Sequence, residues 1–170
     1  HIRREHTVMS STTGLVTVTG GKWTTYRAMS EDVLAECFQI GRLPSRPAGV
    51  TVNLPLVGAP AEAAVKHSMN QAQGLHSYGT DAEAVASLPG AQNWLMDGLS
   101  EAMVRFAARF EYARTVEDML ARRSRLLFLD ARKAAEIAPR VAAILVEELG
   151  RDANLNDFMV LAKQYLPAQA

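Results

Sequence analysis

With a single cysteine, Cys37, the chain cannot form an internal disulfide, which fits a reducing compartment. Its four histidines, His1, His6, His67 and His76, are scattered and share no metal-ligand spacing with a cysteine, so no metal site is read. Net charge is missing as well. Lys plus Arg and Asp plus Glu number 18 each, which removes any whole-molecule case for binding nucleic acid or an anionic surface. No apolar run approaches the roughly 18 residues needed to span a bilayer. No basic start with an apolar core marks a secretion signal. The chain opens on His1 rather than Met, which points to a cut chain or to numbering that starts inside a longer protein.

What is present is ordinary globular material. The 170 residues are 48% hydrophobic and 21% charged, suiting one domain or one domain plus part of another. That length buries a core without disulfide or metal staples. Leu15 to Thr19 is mostly β-branched and reads as a strand. Gly20 and Gly21 break it. A helical pattern follows from about Trp23 to Phe38, with Met29, Val33, Leu34 and Phe38 apolar and Gly41 as its stop. Pro44, Pro47, Pro55 and Pro60, with Gly49 and Gly58, make 42–60 a linker in which Val50 to Leu56 forms a short strand or lies along a surface.

After Pro60 the chain reads as helices. They cover Ala61 to Gln73, Asp81 to Leu88 with Thr80 as N-cap, and Ser100 to Tyr112 capped by Ser100 with Met103, Val104, Ala107 and Phe110 on one face. Thr115 to Asp118 is a Thr-x-x-Asp start signal for a short helix ending at Arg123. Asp130 caps the next helix, and Pro139 is expected to split that region in two. Arg140 to Leu149 carries a core stripe of Val141, Ile144, Leu145 and Leu149, ended by Gly150. A last helix runs from Leu155 to Tyr165 with Asn154 as its cap. The expected architecture is therefore mainly α: a helical bundle over 61–170, preceded by a strand, Gly-Gly turn and helix over 1–41.

The chemistry concentrates at Thr19-Gly20-Gly21-Lys22-Trp23-Thr24-Thr25-Tyr26-Arg27. Two glycines let the backbone approach a ligand closely. A helix start offers unpaired N–H groups and partial positive charge, and Lys22 adds a full charge there. Such a turn suits a phosphate or a delocalised anion. It is not a P-loop, since Val16 stands where that motif needs glycine and Trp23 where it needs Ser or Thr. No Gly-x-Gly-x-x-Gly dinucleotide fingerprint occurs. On spacing alone, a turn that merely needs small residues is an equal reading. Arg122, Arg123 and Arg125 form a basic run, but Glu117 and Asp118 lie a helical turn away, which favours a structural ion-pair network over an anion site. Trp94, Leu95 and Met96 read as a partner surface, a membrane-facing patch or, more commonly for a patch of three, local core.

The stretch GLVTVTGGKWTTYRAMSED, residues 14–32, resembles the end of the FAD domain in flavin-dependent glycerol-3-phosphate dehydrogenases. A second block, EYARTVEDMLARRSRLLFLDA at 111–131, is similar to that family's helical C-terminal domain, and His-Ser-Tyr-Gly at 76–79 is similar to a shorter element. The resemblance runs from Arg4 onward and is weakest around 91–99. It implies the last third of an enzyme that oxidises glycerol 3-phosphate to dihydroxyacetone phosphate with FAD and passes electrons to a quinone or other acceptor. It implies that Gly20, Gly21, Lys22, Trp23, Thr24 and Thr25 lie beside the flavin, with N–H groups facing the edge where negative charge gathers. It further implies that Lys22 and Arg4 contact substrate, guanidinium suiting phosphate; Arg3 reads as a solvated neighbour. The base for the substrate hydroxyl and most phosphate ligands belong to the N-terminal FAD domain that this chain is expected to need as partner, so no catalytic residue is assigned here and the chain alone is expected to be inactive. His6 reads as a partly exposed loop histidine rather than a base. The expected location is the cytoplasm, or peripheral contact with the inner face of the cytoplasmic membrane; no nucleic acid partner is expected. A glycerol-3-phosphate oxidase using oxygen, or a non-catalytic helical docking or oligomerisation domain, are the alternatives.

Overall fold

A computed structural model describes residues 5–47, 49–60 and 74–166. The helix expected over Ala61–Gln73 lies outside the described residues. The chain divides into two compact units, His1–Pro55 and Leu56–Ala170.

The first unit is a hairpin with a helix on it. Strands β1 (His6–Ser10) and β2 (Val16–Gly20) pair antiparallel, His6 opposite Gly20 and Ser10 opposite Val16. β1 was not legible beforehand. Trp23–Thr25 forms a single 3-10 turn, and α1 (Tyr26–Gln39) follows and packs on both strands. The helix therefore starts three residues later than its sequence pattern begins. Ile40 and Gly41 donate to the Glu36 and Phe38 carbonyls and close it. Val50–Val52 is a 3-10 turn rather than a strand, and its residues are exposed. No described residue of this unit is buried.

The second unit carries the core and is helical. A 3-10 segment, Leu75–Asp81, leads into α2 (Ala82–Ala86). The residue at the N-cap position of α2 is Asp81 rather than Thr80, and no side chain caps it. A small hairpin of β3 (Trp94–Met96) and β4 (Leu99–Ser100) precedes α3 (Glu101–Phe110). Leu95 and Met96 pack against the core while Trp94 stays half exposed. Ser100 accepts the Met103 N–H at 3.4 Å, as its N-cap role requires. Met103, Val104 and Ala107 are buried, but Phe110, expected on the same face, is 67% exposed at the helix end.

The Thr115 start signal works reciprocally. Asp118 Oδ2 accepts the Arg114 and Thr115 N–H groups at 3.0 Å, and Thr115 Oγ1 accepts the Asp118 N–H at 3.1 Å. The turn that follows, Asp118–Arg123, is π-helical, its bonds reaching five residues back, as from Ser124 N–H to the Met119 carbonyl at 2.9 Å. That widening lets Met119, Leu120 and Ala121 all be buried.

Helix α4 (Leu126–Leu129) and α5 (Ala131–Leu149) come next. Asp130 caps α5 by accepting the Lys133 N–H at 2.9 Å. Pro139 does not split α5. The helix runs through it because Ala134, Ile137 and Ala138 before it and Val141, Ile144 and Leu145 after it are buried in one core. Pro139 itself faces solvent, where water can satisfy the carbonyl that loses its donor. α3, α4 and α6 (Leu155–Gln164) all pack on α5. Asn154 stands at the start of α6 in the left-handed region, and no side chain caps that end. The expected mainly helical architecture is the one observed.

Candidate functional site

The turn after β2 is shaped by two glycines with φ of 79° and 83°. A side chain at Gly20 would meet the Glu5 carbonyl oxygen at 2.7 Å. One at Gly21 would meet Met29 Sδ at 2.6 Å and His6 Cβ at 3.2 Å. Backbone angle favours glycine at both positions, and at Gly20 the fixed Glu5 carbonyl also denies space to a side chain. Lys22 is extended and leads the 3-10 turn. Thr25 locks it: its hydroxyl donates to the Lys22 carbonyl at 2.9 Å and accepts the Lys22 N–H at 3.3 Å.

This leaves the Trp23 and Thr24 N–H groups without an acceptor among the described residues, as expected for a helix start. The Lys22 ammonium has no carboxylate partner among them either. Among the described residues of this unit no carboxylate sits in the first turn of α1 to offset the positive end of the helix.

The turn forms one end of a groove of about 710 Å³, whose walls include Trp23, Tyr26, Met29 and Val33. Trp23 is 90% exposed and lies 6.4 Å from the Tyr26 ring, centroid to centroid. Lys22 and Trp23 line this groove beside apolar side chains, a combination of charge and apolar wall that fits the edge of a flat, partly anionic ring such as a flavin. Of the expected site residues, Gly20, Gly21, Lys22, Trp23, Thr24 and Thr25 are thus together at one turn. Arg4 lies outside the described residues. His6 is on a strand rather than a loop, 22% exposed, with its Nε2 2.6 Å from Asp32 Oδ2.

A second concavity, about 1040 Å³, lies within the helical unit, with Tyr78, Asp81, Phe106, Glu111 and Arg123 among its lining. Burial, then the nearby Glu111 charge, push the Tyr78 hydroxyl up to about 12. Burial also raises the Glu111 carboxyl against the opposing pull of Arg123. Arg123 donates to the Glu111 backbone carbonyl. The basic run is divided in its duties: Arg122 pairs with Glu117 at 2.6 Å and Asp118 at 2.9 Å, so the expected structural network is present there. The sequence offered no sign of this cavity beyond the His-Ser-Tyr-Gly element, because its walls come from segments far apart in the chain.

Among the described residues no helix is long and apolar enough to cross a membrane, and no cluster of three or more His, Cys, Asp or Glu is placed to hold a metal.

Fold and turn together define a helical domain that follows a strand–turn–helix unit in the chain. The family model for the C-terminal domain of alpha-glycerophosphate oxidase matches residues 49–155, and the chain belongs to that family. Mitochondrial glycerol-3-phosphate dehydrogenase of Arabidopsis thaliana is 35% identical over 182 residues, covering 86% of this chain and 28% of that protein. Human mitochondrial glycerol-3-phosphate dehydrogenase is 35% identical over 177 residues, covering 92% of this chain and 24% of its own length. A probable mitochondrial glycerol-3-phosphate dehydrogenase of Dictyostelium discoideum is also 35% identical, covering 85% and 25%. The chain thus spans about a quarter of the length of these curated relatives. No solved structure matches it. The resemblance drawn from the two sequence blocks is borne out.

Proposed function

We propose that this chain is the C-terminal part of a flavoprotein that oxidises sn-glycerol 3-phosphate to dihydroxyacetone phosphate and hands the electrons to a quinone. The relatives it matches are named for that dehydrogenase activity. The observation that carries the proposal is the Gly20–Gly21–Lys22 turn, whose ammonium and following N–H groups have no partner among the described residues. In this reading 1–41 closes the flavin-binding domain, 42–60 links, and 61–170 is the helical domain.

FAD, when bound, would supply the acceptor for the hydride that leaves the C2 carbon of the substrate. The chain's own residues hold and orient. The Trp23 and Thr24 N–H groups and the α1 dipole would face the ring edge where negative charge builds, which would favour acceptance of the hydride. Gly20 and Gly21 keep that approach free of side chains. Lys22 holds substrate anion beside the ring, and Arg4 takes the phosphate by paired hydrogen bonds. The hydroxyl proton goes to a base supplied by the rest of the enzyme.

In the intact flavoprotein, Lys22→Ala is expected to keep FAD and the thermal midpoint while lowering kcat/KM about a hundredfold, the scale of losing one charge-assisted contact to a reacting anion. Near-normal kinetics would remove Lys22 from the site.

A further inference from the structure

We propose that His6 and Asp32 are a positioning pair for the Gly20–Gly21–Lys22 turn. Their hydrogen bond ties the strand beside the turn to the helix after it, and so fixes where the turn's N–H groups and the Lys22 ammonium stand. The inference rests on the flavin-edge reading of that turn and adds two residues which that reading leaves without a role.

Three observations place the pair. His6 lies directly across the ladder from Gly20. Its Cβ sits 3.2 Å from the point where a Gly21 side chain would begin, so the base of the imidazole forms part of the floor under the turn. Its Nε2 donates to Asp32 Oδ2 at 2.6 Å, and Asp32 stands on α1, the helix that the turn starts. A carboxylate that accepts the Nε2 proton holds the ring in one tautomer and one orientation.

Polar side chains tie β1 to α1 in this unit. It has two rungs of this kind. The second is Ser10 Oγ donating to Glu36 Oε1 at 2.5 Å. His6 and Ser10 lie four apart on one strand face, and Asp32 and Glu36 lie four apart on one helix face. The rungs differ in place. Ser10 pairs with Val16 at the hairpin end, roughly 13 Å along the strand from the turn. The Ser10 rung is therefore an internal control for purely structural clasping. Asp32 is largely exposed, and pairs of that kind add little to stability. A positional role shows in kinetics rather than in melting.

The experiment uses the intact flavoprotein with His6→Ala, Asp32→Ala, the double variant, His6→Gln, which keeps a donor for Asp32, and Ser10→Ala. FAD content, thermal midpoint, kcat and KM for glycerol 3-phosphate are measured for each. All variants are expected to keep FAD and to melt within a few degrees of the parent. His6→Ala and Asp32→Ala should each lower kcat/KM roughly tenfold to a hundredfold, and the double variant no further than the worse single one. His6→Gln should recover most of the loss, and Ser10→Ala should stay within about twofold. Parent-like kcat/KM in both single variants, losses that multiply in the double, or an equal loss in Ser10→Ala would each overturn the pairing. A parent protein that holds no FAD or does not oxidise glycerol 3-phosphate overturns the flavin reading itself, a result visible before any variant is made.

Discussion

Glu148 is held by two guanidinium groups at once. Arg109 binds it through Nε at 2.6 Å and Nη2 at 2.8 Å, and Arg105 Nη1 adds a bond at 2.8 Å. Its side chain is only 8% exposed. The Arg109 bonds hold its pKa below the ordinary glutamate value of 4.5, outweighing burial. Glu101 is held down in the same way, first by the paired bonds from Arg140 at 2.7 and 2.9 Å. For both groups the unfolded chain binds more protons than the folded one in acid. Their contribution is fully present above 4.5 and is lost as pH falls through the lowered folded values. Glu111, raised chiefly by burial, has the opposite sign and offsets part of that loss. Stability of the helical unit, read from urea midpoints, is therefore expected to fall between pH 6 and pH 3 at moderate salt. Glu148→Gln should flatten that slope. It should also cost about 2 kcal/mol at neutral pH, since Arg105, only 12% exposed, loses one of two carboxylate partners and keeps Glu147 at 2.6 Å. Arg105 already has its Nε buried without a partner. An unchanged slope in the variant would remove Glu148 from the account.

Among the elements, α5 organises the helical unit, and Pro139 is its one irregularity. Replacing Pro139 with Ala gives the Ala135 carbonyl back its donor and improves helix propensity, while the exposed ring it removes supports no core contact. The variant is expected to be more stable by about 2 kcal/mol, and a lower denaturant midpoint would show that the proline serves the fold. Helices α3 and α5 show what a sequence discloses. Caps were readable at Ser100 and Asp130, because a cap is a bond between neighbours in the chain. Continuity through Pro139 was not readable, because it depends on Ile137 and Val141 meeting a core built from other elements. β1 and the β3–β4 hairpin were missed for a related reason. A strand five residues long or shorter shows little periodicity, and what made β1 a strand was its partner across the hairpin. The turn at Gly20–Gly21–Lys22 was legible as a single run of sequence. The bond from His6 to Asp32, 26 residues apart, was not.

At the scale of the whole molecule, the two units are unequal. Core residues such as Val104, Leu120, Ile144 and Phe158 all belong to 56–170, whereas the unit of 1–55 has no buried described residue. Its groove is open as well as shallow in cover, with Trp23 on the rim almost wholly exposed. Tight cofactor sites bury roughly 70–90% of the ligand surface. One edge of polar donors and one apolar wall bury far less, and charge-assisted contacts in open water are weakened by solvent. The purified 170-residue chain is therefore expected to retain no flavin. Mixing it with FAD and desalting should leave no visible absorption band, although the helical unit gives a cooperative melt. A band that survives desalting would mean that the turn and groove bind FAD without further walls, and that the turn contributes most of the affinity rather than one edge of it.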